Sequence, residues 1–436
     1  MNFLVIGSGA REHIMARRLS DVGVKIFSIL TNRNPGLLNL SEEYLFLRSY
    51  HNNIRITVDF ALSKGIDCAV IGPEDPLALG YSDALMKKGI PVVGPIRQLA
   101  QIETSKGFTR DLLTKNNINV SPKYQRFDRI DGAEDFISLL SDEYVVKYDG
   151  LMGGKGVRVS GEHLRNKKEG IQYCNELLSK GGSFIIEEKL LGEEFSLMSF
   201  CDGNNVRHMP AVQDHKRAYE GDEGPNTGGM GSYTNSNHSL PFLTDEDVRE
   251  ARDINEQVSR SLKDEFGEGY RGILYGGFMV TGNGVKLIEY NARFGDPEAI
   301  NLLTLLDNDF ASVCMDIVGG TLEEVNFRKE ASVCKYIVPL GYGSDPSKEA
   351  TLIVDDKHKD YSDLYYAAVN LEEGGSISTT SSRAAAIIST GEDIEEAEKR
   401  CELGLKYISG NDLFVRHDIA KANLIEKRVR NMESIR

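Results

Sequence analysis

At 436 residues, 40% hydrophobic and 27% charged, the chain has the composition of an ordinary folded protein that is too long for one core, and length alone suggests about three domains. A net charge of −15, from 51 basic and 66 acidic residues, argues against nucleic acid or an anionic membrane as partner but leaves room for a local basic pocket. The cysteines at 68, 174, 201, 314, 334 and 401 form no CxxC pair, the start MNFLVIGSGARE has no cationic leader, and no apolar run approaches the roughly 18 residues of a membrane span, so a cytoplasmic protein with reduced thiols and no zinc is expected.

Residues 3–6, FLVI, form an apolar run stopped by glycine, as in a buried parallel strand. REHIMARRLSDVG then reads as a helix and KIFSIL as a second strand. DCAVIG, SDALMKKG and IPVVGP repeat the alternation and predict a doubly wound parallel α/β domain over residues 1–103. The stretch Gly7-Ser8-Gly9-Ala10-Arg11-Glu12 follows a strand and opens a helix, the setting of a phosphate-binding turn. As a dinucleotide fingerprint it fails, because Glu12 stands where the third glycine belongs and no acid ends KIFSIL. It reads either as an anion site on Gly9 and Arg11 or as a bare strand–helix turn.

TSKGFTRDLLTKNNI, residues 104–118, reads as a helix leaving this domain. A compact unit follows at about 120–190: EYVVKY as a strand, a glycine hairpin, KGVRVS as a strand, a helix near 167–180, and SFIIEE as a strand. The hairpin, Lys147-Tyr148-Asp149-Gly150-Leu151-Met152-Gly153-Gly154-Lys155-Gly156, lacks the spacing and the Ser or Thr of a P-loop and joins two strands. It is either a flap whose N–H groups close over phosphates, with Lys147 reaching them from below, or a hairpin with surface lysines. EEKLLGEE ends the last strand; an extended hinge there can offer backbone groups to an adenine edge and a carboxylate to a ribose.

Residues 214–233, DHKRAYEGDEGPNTGGMGSY, crowd glycine and charge together with little to bury and read as a loop. GGFMV and VKLIEYN read as strands. In the second, alternation puts Glu289, Asn291 and Arg293 on one face, about 7 Å apart per pair of residues. A carboxylate with an amide oxygen suits magnesium on polyphosphate oxygens, and the guanidinium can fork onto a carboxylate or phosphate. Phe294-Gly295-Asp296-Pro297-Glu298 then makes an acidic turn. From 327 onward SVCKYIVPLGYG, YYAAVNL and RAAAIIST alternate with the helix EDIEEAEKRCELGLKYI, predicting a small α+β domain to the end of the chain.

In order, GSGAREH, IGPEDPLALG, VVGP, GGKGV, EEKLLGEEFS, QDHKRAYEGDEGPNTGGMGSY and EYNARFGDPE make the chain resemble the ATP-grasp ligases, and within them the glycinamide ribonucleotide synthetases, over nearly its whole length. The resemblance implies an ATP-grasp domain at 104–326 with a lid at about 120–190. It also implies ATP-dependent joining of glycine to 5-phosphoribosylamine through glycyl phosphate, with Mg2+ or Mn2+, by a monomer or weak homodimer. Carried over, Lys106 and Lys147 would hold ATP phosphates under a flap of Gly153, Gly154 and Lys155. Glu187, Glu188 and Leu190 would form the adenine hinge and Glu194 the ribose ligand, while Glu289 and Asn291 would bind metal. Arg293 and Lys155 would act in catalysis. Gly9, Arg11, Glu74, Asp75, Asp214, Lys216, Gly228, Gly229 and Arg293 would meet the substrates. A related ligase using another amino acid is the nearest rival; a regulatory nucleotide-binding protein would have no need of Arg293.

Overall fold

The computed structural model describes residues 1–152 and 156–436. Strands β1 (Asn2–Ile6), β2 (Lys25–Leu30), β3 (Ser41–Phe46), β4 (Cys68–Ile71) and β5 (Val92–Val93) form a parallel sheet in the order β3-β2-β1-β4-β5. β1 is apolar at nearly every position because helices cover both faces, which abolishes the in–out alternation of a half-exposed strand. The predicted doubly wound domain is present.

Helix Lys106–Lys115, capped by the Ser105 hydroxyl on the Phe108 N–H, leads into a separate small sheet. Its strands β6 (Tyr124–Phe127), β7 (Tyr144–Tyr148), β8 (Val157–Val159) and β9 (Phe184–Glu188) run antiparallel in the order β6-β9-β7-β8. Helices Ala133–Leu139 and Lys167–Ser179 pack on it, and Phe127, Ile137, Val146, Leu177, Phe184 and Ile186 make a core of its own. The lid therefore coheres without borrowing apolar surface from the main core.

The largest sheet has nine strands and is built on β10 (Gly192–Asp202), β11 (Val206–Asp214), β14 (Gly231–Thr234), β15 (Arg271–Thr281), β16 (Gly284–Asn291) and β17 (Ala331–Pro339). Between β11 and β14 the chain makes a hairpin, β12 (Arg217–Tyr219) and β13 (Glu223–Asn226), turned by Glu220–Asp222. The stretch that reads as a loop is thus a hairpin ending in a sheet strand. Cross-strand hydrogen bonds order a segment whose glycines alone suggest none.

β14 pairs with β17, so the sheet runs unbroken from the central domain into the carboxy-terminal α+β unit. YYAAVNL spans parts of two strands, Asp363–Tyr366 and Val369–Leu371, which join different sheets. The reading also passes over the 22-residue helix Asp245–Phe266. Its signal is a capping box: the Thr244 hydroxyl accepts the Asp247 N–H while Asp247 accepts the Thr244 N–H.

Candidate active site

The amino-terminal domain, the lid, the central sheet and the carboxy-terminal unit together wall one cavity of about 1060 Å³. β16 is its floor. β15 pairs Gly277 with Glu289 and Phe278 with Leu287, which leaves Ile288 as an unpaired bulge residue. Its carbonyl, off the ladder, accepts from Arg110 Nη2 (2.8 Å) and Lys147 Nζ (3.3 Å). Glu289 and Asn291 follow, both half-buried on the cavity wall. Burial opposes ionisation of Glu289, but Lys106, Lys216, Lys147 and Arg293 outweigh it and hold the carboxyl below its ordinary range. An ionised carboxylate beside an amide oxygen is a hard-oxygen donor pair, so these residues fit Mg2+ or Mn2+.

Arg293, expected on the same strand face, stands just past the strand end and turns toward the amino-terminal domain. Its Nε lies 3.2 Å from Glu74 and its Nη2 2.9 Å from Glu103, which also accepts the Ala292 N–H at 2.8 Å. Arg293 lowers the Glu74 carboxyl, whereas burial raises that of Glu103. Glu74 opens the short helix Glu74–Leu79; Asp75, one residue on, is exposed and off the wall, because successive helical residues point about 100° apart. At the Gly9 turn, Glu12 accepts the Gly9 N–H and Arg11 Nε, both at 2.6 Å. Arg11 Nη1 donates to the Phe294 carbonyl at 2.9 Å. The turn lines the cavity, but Arg11 is a buried strut holding the segment next to Arg293.

On the lid side Lys147 Nζ pairs with one oxygen of Glu187 (2.6 Å) and Arg110 Nε with the other (2.7 Å). All three are buried. Burial favours the neutral acid, yet Arg110 and Lys147 bring Glu187 down to about 2. Glu187, expected in an adenine hinge, therefore spends its carboxylate inside the protein; Glu188 and Leu190 line the cavity beside it. Lys106 opens its helix and reaches the Gly150 carbonyl at 3.4 Å. Asp149 fixes the hairpin base by accepting Ser105 Oγ and the Gly107 N–H, both at 3.1 Å, and pairing with Arg126 at 3.0 Å. Gly153, Gly154 and Lys155, the expected flap, lie outside the described residues.

The last wall is the hairpin segment. Lys216 Nζ pairs with Glu194 at 2.8 Å; each holds the other charged, Lys216 raised by Glu194 and Glu194 lowered by Lys216. Asp214 Oδ1 is buried and has no hydrogen-bond partner among the described residues. Burial, then the nearby Glu298, raise its carboxyl well above the ordinary value. Gly229 is buried off the cavity wall at φ +108°, and a Cβ there would meet Pro297 at 2.6 Å and Asp214 Oδ1 at 2.7 Å. Arg383 Nη1 donates to the carbonyls of Gly228 (2.7 Å) and Asp296 (2.6 Å), and its guanidinium lies over the Tyr336 ring.

One cavity thus gathers Lys106, Lys147, Glu187, Glu188, Leu190, Glu194, Gly9, Arg11, Glu74, Asp214, Lys216, Gly228, Glu289, Asn291 and Arg293, and leaves out Asp75 and Gly229. Sequence reasoning missed Arg110, Glu103 and Arg383. Arg110 and Glu103 fall on helices whose faces gave no hint of a charged partner, and Arg383 lies in a stretch without a motif.

Family models match the chain in order: phosphoribosylglycinamide synthetase N domain over residues 1–103, its ATP-grasp (A) domain over 104–299 and its C domain over 332–422. A phosphoribosylamine–glycine ligase of Methanocella arvoryzae is 46% identical over 440 residues, covering 100% of both chains. The crystal structure of the phosphoribosylamine–glycine ligase of Thermotoga maritima superposes with a TM-score of 0.81 at 25% identity, over 96% of this chain and 100% of that one. A biotin carboxylase domain of Hydrogenobacter thermophilus 2-oxoglutarate carboxylase, solved with MgADP and bicarbonate, shares the fold at 16% identity, with a TM-score of 0.74 over 99% and 97% of the two chains.

Proposed function

Because the chain belongs to the phosphoribosylglycinamide synthetase family, we propose that it joins glycine to 5-phosphoribosylamine at the expense of ATP, through glycyl phosphate, in purine biosynthesis. It is an ATP-dependent ligase. The observation that carries the reading is the gathering of Glu289, Asn291, Arg293, Lys106 and Lys147 around one cavity, in a chain similar to such ligases from end to end.

The chemical difficulty is to bring the glycine carboxylate against the terminal phosphate of ATP, anion against anion, and then to keep water from the acyl phosphate. Lys106 and Lys147 provide positive charge on the lid side, and Arg293 provides it at the floor. Glu74 and Glu103 grip Arg293 from the amino-terminal domain, so its guanidinium is oriented before substrate arrives. Glu289 and Asn291 would hold Mg2+ or Mn2+, which when bound neutralises polyphosphate charge. Asp214, Lys216 and the Gly228 backbone face the remaining space and take the charged groups of glycine and phosphoribosylamine. Closure of the lid over them excludes water. The enzyme acts in the cytoplasm on small molecules, as a monomer or weak homodimer, with neither nucleic acid nor membrane as partner; a net charge of −15 supports the last point alone.

ADP release, measured with ATP and magnesium while glycine and freshly made phosphoribosylamine are added singly and together, tests the proposal. Release that needs both substrates is expected; turnover with another amino acid and none with glycine would overturn it. Glu289→Ala is expected to lower kcat by at least about a hundredfold with the melting temperature unchanged.

A further inference from the structure

The hairpin Arg217–Asn226 buries almost no apolar surface of its own beyond Ala218, so something else must order it. Its carbonyls and acids are met instead by arginines from the end of the chain. Arg416, fully buried, donates to the Arg217 carbonyl at 2.9 Å and to one oxygen of Asp222 at 3.0 Å. Arg428 donates to the other oxygen of Asp222 at 2.8 Å and, through its second amino group, to Glu193 at 2.7 Å. Asn431, on the same helix face as Arg428, donates to the remaining oxygen of Glu193 at 2.7 Å. Asp418 accepts the Gly221 N–H at 2.8 Å.

Glu193 precedes Glu194 on β10, so the two side chains leave opposite faces of the strand. Glu194 pairs with Lys216, at the foot of the hairpin, while Glu193 reaches its turn through Arg428; Glu193, Asp222 and Arg428 stand on the cavity rim with them. Two ionic ties therefore fasten the same strand to the same hairpin from both faces. Helix Ala422–Ile435, which carries Arg428 and Asn431, begins where the matched C-domain segment ends.

We propose that the terminal helix Ala422–Ile435 is a positioning element of the active site, in which Arg428 bridges Glu193 and Asp222 and so fixes the Arg217–Asn226 hairpin beside the cavity. The bridge touches no reacting atom. It acts by holding Lys216 and Asp214, at the base of the hairpin, where the substrates need them. The role in substrate binding rests on the ligase reading above; the ordering of the hairpin does not.

The test compares Arg428→Gln and Asp222→Asn with Arg430→Ala, whose arginine lies on the same helix and pairs with Glu426 at the surface. Hydrogen exchange of peptides covering the hairpin, without substrates, reads its order directly. Steady-state kinetics with glycine as the varied substrate read its consequence. Arg428→Gln and Asp222→Asn are each expected to speed hairpin exchange and raise KM for glycine by about tenfold, with kcat changed less than about threefold. Arg430→Ala should match the wild type in both. Unchanged hairpin exchange in folded Arg428→Gln, or faster exchange with an unchanged KM, overturns the proposal. Should Arg428→Gln fail to fold, Asp222→Asn decides by the same two readings. A wild-type enzyme inactive on glycine would sink the ligase reading, while exchange would still judge the tie.

Discussion

The lid and the hairpin Arg217–Asn226 both border the same cavity, and they are held by opposite means. The lid folds around Phe127, Val146, Leu177, Phe184 and Ile186, an apolar core separate from the main one, and meets the rest of the protein through a buried charge triad, Arg110, Glu187 and Lys147. The hairpin has no such core. It is fastened by Arg416 and Arg428, about 200 positions downstream. Apolar packing is non-directional and lets a body move as a unit, as a lid must; charged hydrogen bonds fix an angle and a distance, as a substrate contact must.

Substitutions should separate the two designs. The largest effect is expected for Glu187→Gln, which leaves Arg110 and Lys147 buried without their shared carboxylate and should cost about 3–5 kcal/mol in urea unfolding. The same carboxyl gives a signature in pH. Held down to about 2 in the folded protein, it takes up its proton first in the unfolded chain. Its contribution is therefore complete above the ordinary carboxyl value and lost as pH falls toward 2, so wild type should lose more stability than Glu187→Gln across that window. Equal losses would deny the triad its role.

Leu177→Ala, in the lid core, should cost about 2–4 kcal/mol and speed hydrogen exchange in β7 and β9 while leaving the hairpin unaffected. Spread of the effect to residues 217–226 would mean that the two regions share one cooperative unit. Gly229→Ala strains a left-handed backbone and presses on Pro297 and Asp214, and is expected to destabilise by about 1–3 kcal/mol with no change in lid exchange. The smallest effect belongs to the ion pair that links the regions directly, Arg217 with Glu162. Both side chains are partly exposed, so Glu162→Ala should change the free energy of urea unfolding by less than about 1 kcal/mol.

Local patterns carried the fold a long way. Strand–helix alternation announced the parallel domain, and the spacing of Glu289 and Asn291 put both on the cavity wall. The same alternation misplaced Arg293 slightly, since β16 ends at Asn291 and the guanidinium is aimed by Glu74 and Glu103 rather than by the pleat. Glycine misled at 214–233, where its freedom suggested a loop and cross-strand bonds made a hairpin.

By itself, then, the sequence determined which backbone segments could be strand, helix or tight turn, and which side chains shared a strand face, because those properties depend on neighbours a few residues apart. Only the tertiary structure decided which charges are spent and which stay free. Glu187 is consumed by Arg110, Arg11 by Glu12 and the Phe294 carbonyl, and Asp222 by two arginines, whereas Asp214 keeps an oxygen without a partner among the described residues. The physical reason is range: propensity acts along the chain, but a charge is satisfied by whatever the closed fold brings within about 3 Å, however distant in sequence.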